Sequence, residues 1–178
     1  MWVRVATMAD LPVLQTLIAT SVRSLSTDFY TPAQIEAAIT EVFGVDTQLI
    51  ADRTYYVIVD ACVPVAAGGW SARRTLYGGD QMKGAEDPRL DPGTEAARIR
   101  AFFVHPARAR RGLAKRLYGE CARAAYAAGF RRFELMATLP GVPLYAALGF
   151  SPVERIVCPL AAGGELPLVR MARRIENE

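Results

Sequence analysis

Lysine and histidine are nearly missing from this 178-residue chain: Lys83 and Lys115 are the only lysines and His105 the only histidine. One histidine and three scattered cysteines, Cys62, Cys121 and Cys158, with no C-x-x-C pair, supply neither a zinc set nor a disulfide framework. No metal is expected. Long hydrophobic runs are also lacking, since no stretch approaches the roughly 20 apolar residues of a spanning helix. The opening MWVRVATMAD reaches Arg4 and Asp10 before an apolar run can form, so neither a secretory signal nor a membrane anchor is expected. Free thiols and no leader fit a reducing cytoplasm. Nor is there charge of one sign: 21 Lys+Arg stand against 18 Asp+Glu, a net +3. The one basic cluster, Arg108 to Arg116, is short and lacks interleaved aromatics, so no nucleic-acid partner is expected.

With 52% hydrophobic and 22% charged residues, the chain has the make-up of a single domain spanning 1–178 with a sizeable core. Its basic residues are almost all arginine, which presents rigid forks for phosphate or carboxylate. Val3 to Ala6 reads as a strand. Asp10 can cap a helix whose Leu11, Leu14, Leu17, Ile18, Val22 and Leu25 share one face. Thr31, Pro32 and Gln34 form a capping-box pattern opening a second helix with Ile35, Ile39, Val42 and Phe43 inward. Tyr55 to Val59 and Val63 to Trp70 read as a hairpin, with Gly68-Gly69 marking a bulge or a close backbone approach.

Residues 77–96 break the pattern. They are rich in Gly, Pro and acidic side chains (Asp80, Glu86, Asp87, Asp91, Glu95), and read as a loop insertion that is either a solvated excursion or a substrate lid. Ala97 to Val104 is then a strand, followed by a basic turn and a helix carrying Leu113, Leu117, Cys121 and Ala125 and ending at Gly129. Phe133 to Ala137 is another strand, Val142 to Leu148 a short helix, and Val153 to Val157 with Leu166 to Met171 a terminal hairpin. Helices interspersed among strands place the chain in the α/β or α+β class with a mixed sheet.

The segment from Arg98 to Lys115 sets strand, turn and helix N-terminus in succession, with Gly112 and Ala114 small where the first helical turn falls. Unpartnered backbone N–H groups at a helix start suit a phosphate, small side chains let it approach, and Arg108, Arg110, Arg111, Lys115 and Arg116 add charge suited to a pyrophosphate. The glycines of a P-loop or a dinucleotide fingerprint are not there.

Val104-His105-Pro106 followed by Arg111-Gly112-Leu113-Ala114 resembles the acetyl-CoA-binding motif of the GNAT acetyltransferase superfamily, with Ala109 at that motif's first Gln/Arg position. Leu144-Tyr145-Ala146-Ala147-Leu148-Gly149-Phe150 resembles the family's tyrosine segment, and the order of elements matches along essentially the whole chain. The resemblance implies a GNAT-like fold, with a mixed, mostly antiparallel sheet of about six or seven strands flanked by about four helices. It implies an acetyl-CoA-dependent N-acetyltransferase acting on a primary amine of a small molecule or protein, with a homodimer left open. It implies coenzyme contacts at Phe102, Phe103, Val104, Arg110, Arg111, Gly112, Leu113, Ala114 and Lys115. Backbone amides near Phe103 and Val104 would polarise the acetyl carbonyl, and Tyr145 would protonate the departing thiolate.

The general base is open. The family's strand glutamate has no counterpart in Ala97-Arg98-Ile99-Arg100, which leaves Asp80, Glu86, Asp87, Asp91, Glu95, Glu134 or a water chain. His105 reads as a turn residue. By resemblance the acceptor pocket draws on the first two helices, including Phe29, Tyr30 and Thr31, with Trp70 and the insertion. The acidic insertion suggests a cationic acceptor, whereas inward arginines Arg98 and Arg100 suggest one bearing a carboxylate. A non-catalytic acyl-CoA sensor is the alternative to an enzyme.

Overall fold

The computed structural model describes residues 1–162 and 164–175. A seven-stranded sheet runs through it: β1 (Trp2–Val5), β2 (Tyr55–Asp60), β3 (Val63–Ser71), β4 (Ala97–Val104), β5 (Arg132–Thr138), β6 (Ser151–Pro159) and β7 (Glu165–Arg174), in the spatial order β1-β2-β3-β4-β5-β7-β6. Five helices accompany it: α1 (Leu11–Leu25), α2 (Pro32–Glu41), α3 (Thr47–Ala51), α4 (Leu113–Ala127) and α5 (Val142–Ala147). Every neighbouring pair of strands is antiparallel except β4 and β5. Parallel strands cannot be joined by a tight turn, and α4 makes the crossover.

The apolar spacing of α4 decides its packing: Leu117, Cys121 and Ala125 are fully buried and Leu113 nearly so. On the other face of the sheet, Leu14, Leu17, Ile18 and Val22 of α1 join Ile35 and Ala38 of α2 in a second core. The capping box at α2 forms as its sequence indicates, with Gln34 N–H donating to Thr31 Oγ1 at 3.2 Å and Thr31 N–H to Gln34 Oε1 at 2.9 Å.

Asp10 departs from its expected role. It precedes α1 but makes no cap bond there; its carboxylate accepts from the Thr7 N–H and pairs with Arg4 at 2.7 Å. Arg4 holds that carboxyl down at about 2. The second difference is α3, a five-residue helix capped by Asp46, too short to show an apolar period.

The insertion is tied to the body. Arg73 pairs with Asp52 at 2.6 Å, Asp87 accepts from the Thr75 N–H at 2.8 Å, Lys83 reaches Asp46, and Leu90 is buried. Its start, Tyr77 to Gly79, lines a cavity, while residues 80–82, 84–86, 88 and 89 are exposed.

Candidate active site

The site begins with a defect in the sheet. Opposite β3, the register passes from Ala67↔Phe103 to Gly69↔Arg100, so two β4 residues face Gly68 alone and β4 bulges. Ala101 carries the bulge at φ +55, a left-handed conformation unfavourable for alanine. Tyr55, fully buried on β2, donates its hydroxyl to the Ala101 carbonyl at 3.1 Å and so holds the kink. Glycine at 68 is required, because a Cβ there would lie 2.7 Å from the Phe102 ring. Of the bulge or close backbone approach expected at Gly68-Gly69, the bulge lies on β4 opposite Gly68, and the close approach is at Gly69, where a Cβ would lie 2.6 Å from the Thr54 carbonyl oxygen.

Beyond it, β4 leaves its other neighbour. Pairing with β5 is confined to Ala97↔Phe133 and Arg98↔Glu134, and past these the two strands separate. A cavity of about 220 Å³ opens there, lined from β4 by Ile99 to Val104, from β5 by Met136 and Thr138, and by Ala114, Leu144 and Tyr145. His105 N–H bonds to the Val65 carbonyl on the β3 side at 2.8 Å, so strand alternation turns the Phe103 amide towards β3 and the Val104 amide towards the gap. Val104 N–H there meets Ser21 Oγ at 3.4 Å. Of the two amides expected to polarise an acyl carbonyl, Val104 faces the opening and Phe103 does not.

At one end of the gap α4 begins. Gly112 is its N-cap at φ +77 and supplies no side-chain cap, no acidic residue occupies the first turn, and a Cβ on Gly112 would meet nothing within 4 Å. The N–H groups of Leu113, Ala114 and Lys115 lie ahead of the first intrahelical bond, which Arg116 N–H makes to the Gly112 carbonyl at 3.0 Å. Macrodipole and open space favour an anion here. Arg110, Arg111 and Lys115 are exposed and make no ion pair among the described residues, which leaves them free for that anion. Arg108 is paired with Asp60 at 2.9 Å and Arg116 is bonded to the Met1 carbonyl at 3.2 Å.

Tyr145 lies on α5 with its ring in edge contact with Phe102 (centroids 6.4 Å) and Phe150 (5.8 Å). Burial pushes its phenol above the ordinary value, so the hydroxyl keeps its proton at neutral pH. His105 caps the following turn, its Nδ1 accepting from the Ala107 N–H at 3.2 Å, as a turn residue would.

The acetyltransferase (GNAT) family model matches residues 21–150. The chain belongs to that family. No curated protein sequence matches it. Among solved structures it is similar to a GCN5-related N-acetyltransferase from Rhodopseudomonas palustris (18% identity over 97% of this chain and 94% of that one, TM-score 0.71). It is also similar to the PaiA N-acetyltransferase of Thermoplasma acidophilum in complex with coenzyme A (12% identity, 97% and 98% covered, TM-score 0.66). A third is the ribosomal-protein-S18-alanine N-acetyltransferase of Escherichia coli (14% identity, 99% and 95% covered, TM-score 0.61). The mixed sheet and α+β class are those of this acetyltransferase family.

The other end of this GNAT cavity is built from the segments expected for the acceptor, the first two helices and the start of the insertion, but not from the residues named within them. Ser21, Val22, Leu25 and Ser26 of the α1 end, Val42 to Gly44 after α2, and Leu76 to Gly79 line it. Phe29, Tyr30, Thr31 and Trp70 do not. Phe29 is half-exposed, Tyr30 spends its hydroxyl on the Pro167 carbonyl (2.7 Å) and the Leu139 N–H (2.9 Å), Thr31 caps α2, and Trp70 packs edge-on against Phe130. Both strand arginines are engaged as well: Arg98 with Glu134 at 2.9 Å, and Arg100, 2% exposed, with Asp46 at 2.9 Å and with the Thr75 and Gly78 carbonyls. Burial lowers the Arg100 pKa while Asp46 opposes that effect.

None of Asp80, Glu86, Asp87, Asp91, Glu95 or Glu134 lines the cavity; among the described lining residues Arg100 is the only charged side chain. A carboxylate acting directly as base is therefore not found among these candidates. The signal that was missed is the apolar face of α1, which serves core and cavity at once: Val22 is buried yet lines the cavity, and Leu25 lines it from the half-exposed end of the helix.

Proposed function

We propose that this GNAT protein transfers the acetyl group of acetyl-CoA to a primary amine by direct attack on the thioester, as a single domain working in the cytoplasm. The observation that carries the reading is one continuous path: the anion-ready start of α4, the opening between β4 and β5, and Tyr145 beside it. The pyrophosphate would rest on the amides of Gly112, Leu113, Ala114 and Lys115 and be met by Arg110, Arg111 and Lys115. The acyl-pantetheine arm would then replace the strand partner that β4 lacks past Arg98, with Phe102, Phe103 and Val104 beside it and the Val104 amide exchanging Ser21 for the ligand.

In the reaction the neutral amine nitrogen bonds to the thioester carbon, the carbon–sulfur bond breaks, and the sulfur leaves with both electrons. Tyr145 gives its proton to that sulfur. The proton lost by the nitrogen passes to water and restores the phenol, so amine and acetyl-CoA become amide and free thiol.

Incubation of the protein with acetyl-CoA and an amine panel tests this by thiol release together with the acetyl mass gain of the amine. Amine-dependent release with product of the acetylated mass is the expected result; tight CoA binding with no release above background would instead make the protein an acyl-CoA sensor. The absence of a lining carboxylate is the observation that favours that second reading.

A further inference from the structure

We infer that the acceptor is a small monoamine with an apolar aryl or alkyl body, one carrying no second charge. The inference rests on the transferase reading and names the substrate class of the same site. Away from the α4 start, the cavity wall is made by Val22, Leu25, Val42, Phe43, Leu76 and Tyr77. Phe43 stands edge-on to Phe103 at 6.2 Å between centroids, which gives this end an aromatic corner. The hydroxyls of Ser21, Ser26 and Tyr77 are its polar side-chain groups beside Arg100. Burial raises the Tyr77 phenol to about 12, so it too is neutral.

Charge decides against the alternatives. A polyamine or aminoglycoside would bring further ammonium groups to a wall without a carboxylate and with Arg100 on it. Burying a charge without a partner is costly. An amino acid would bring a carboxylate towards Arg100, but that guanidinium already faces Asp46 and two carbonyls. Lys83, which also reaches Asp46, closes the same group from the insertion side. An apolar body, in contrast, gains with each methylene it buries. At about 220 Å³ the cavity is smaller than the roughly 300–1,000 Å³ of drug-sized pockets, and it must also admit the acetyl end, so one ring or a short chain is the limit. Apolar surroundings also lower the pKa of an ammonium, which helps supply the neutral nucleophile where no lining carboxylate can take its proton.

The test is a comparison of kcat/KM for 2-phenylethylamine, hexylamine, spermidine, lysine and an alanyl peptide, read by thiol release at fixed acetyl-CoA. The apolar monoamines are expected to exceed the other three by tenfold or more. Leu25→Glu, placed at the half-exposed end of α1, is expected to narrow the phenylethylamine-to-spermidine ratio at least fivefold with acetyl-CoA affinity unchanged. Turnover led by spermidine, lysine or the peptide would overturn the acceptor class and leave the transferase standing. No turnover with any amine would overturn both. An unchanged ratio in Leu25→Glu would show that this wall does not meet the acceptor.

Discussion

The two ends of the cavity are built differently. The end assigned to the donor is mostly backbone, with the bulge at Ala101, the separated edges of β4 and β5, and the open N-terminus of α4 at Gly112, flanked by the Tyr145, Arg110, Arg111 and Lys115 side chains. The acceptor end is side chains, drawn from the end of α1, the turn after α2 and the start of the insertion, and backed by the buried Arg100–Asp46 pair. On the proposed reading, backbone geometry would recognise the thioester arm and its phosphates. Side chains can change one at a time and set what differs, the acceptor.

The largest effect that separates the two ends is expected at Asp46. Asp46→Ala leaves Arg100 buried without its counter-charge and should cost about 3–5 kcal/mol, measured by urea unfolding. Asp46→Asn, which keeps a polar partner, should fold and hold acetyl-CoA within about threefold of wild type while losing acceptor turnover. Equal loss of both would show that the ends are not independent.

Next is Gly112→Glu, which sets a negative side chain where the phosphates would bind and should weaken acetyl-CoA by at least about 100-fold in calorimetry. Gly112→Ala meets open space and carries only the left-handed penalty, on the order of 1 kcal/mol of stability. Tyr145→Phe should lower kcat by about 10- to 100-fold with acetyl-CoA affinity held, since a general acid acts on the rate. Unchanged kcat would remove Tyr145 from that role. The smallest effect is Lys115→Ala, an exposed charge: about threefold weaker acetyl-CoA binding and a shallower dependence on salt.

The same contrast explains what could be read from the sequence. The strand, turn, helix start and tyrosine helix lie within residues 98–150 in contiguous stretches, and their requirements are local: a glycine at φ +77, small residues beside it, an apolar face on α4. The acceptor end joins residues from three separate parts of the chain. The role of Arg100 depends on Asp46, 54 residues away, and Arg98 depends on Glu134, 36 residues away, so neither partner showed in a local pattern. The acidic look of the insertion misled for a related reason. Asp87 accepts the Thr75 N–H ahead of the insertion, and Asp80 accepts the Thr47 N–H at the start of α3, so these carboxylates serve the fold. Tyr55 escaped notice because a buried tyrosine in a strand looks like core until the carbonyl it holds is known.

The most direct measurement of the central claim is a calorimetric titration of the wild-type protein with acetyl-CoA. The account predicts saturable one-to-one binding that Gly112→Glu abolishes and Asp46→Asn retains. Absence of acetyl-CoA binding to the wild type, or binding that survives Gly112→Glu undiminished, would contradict it.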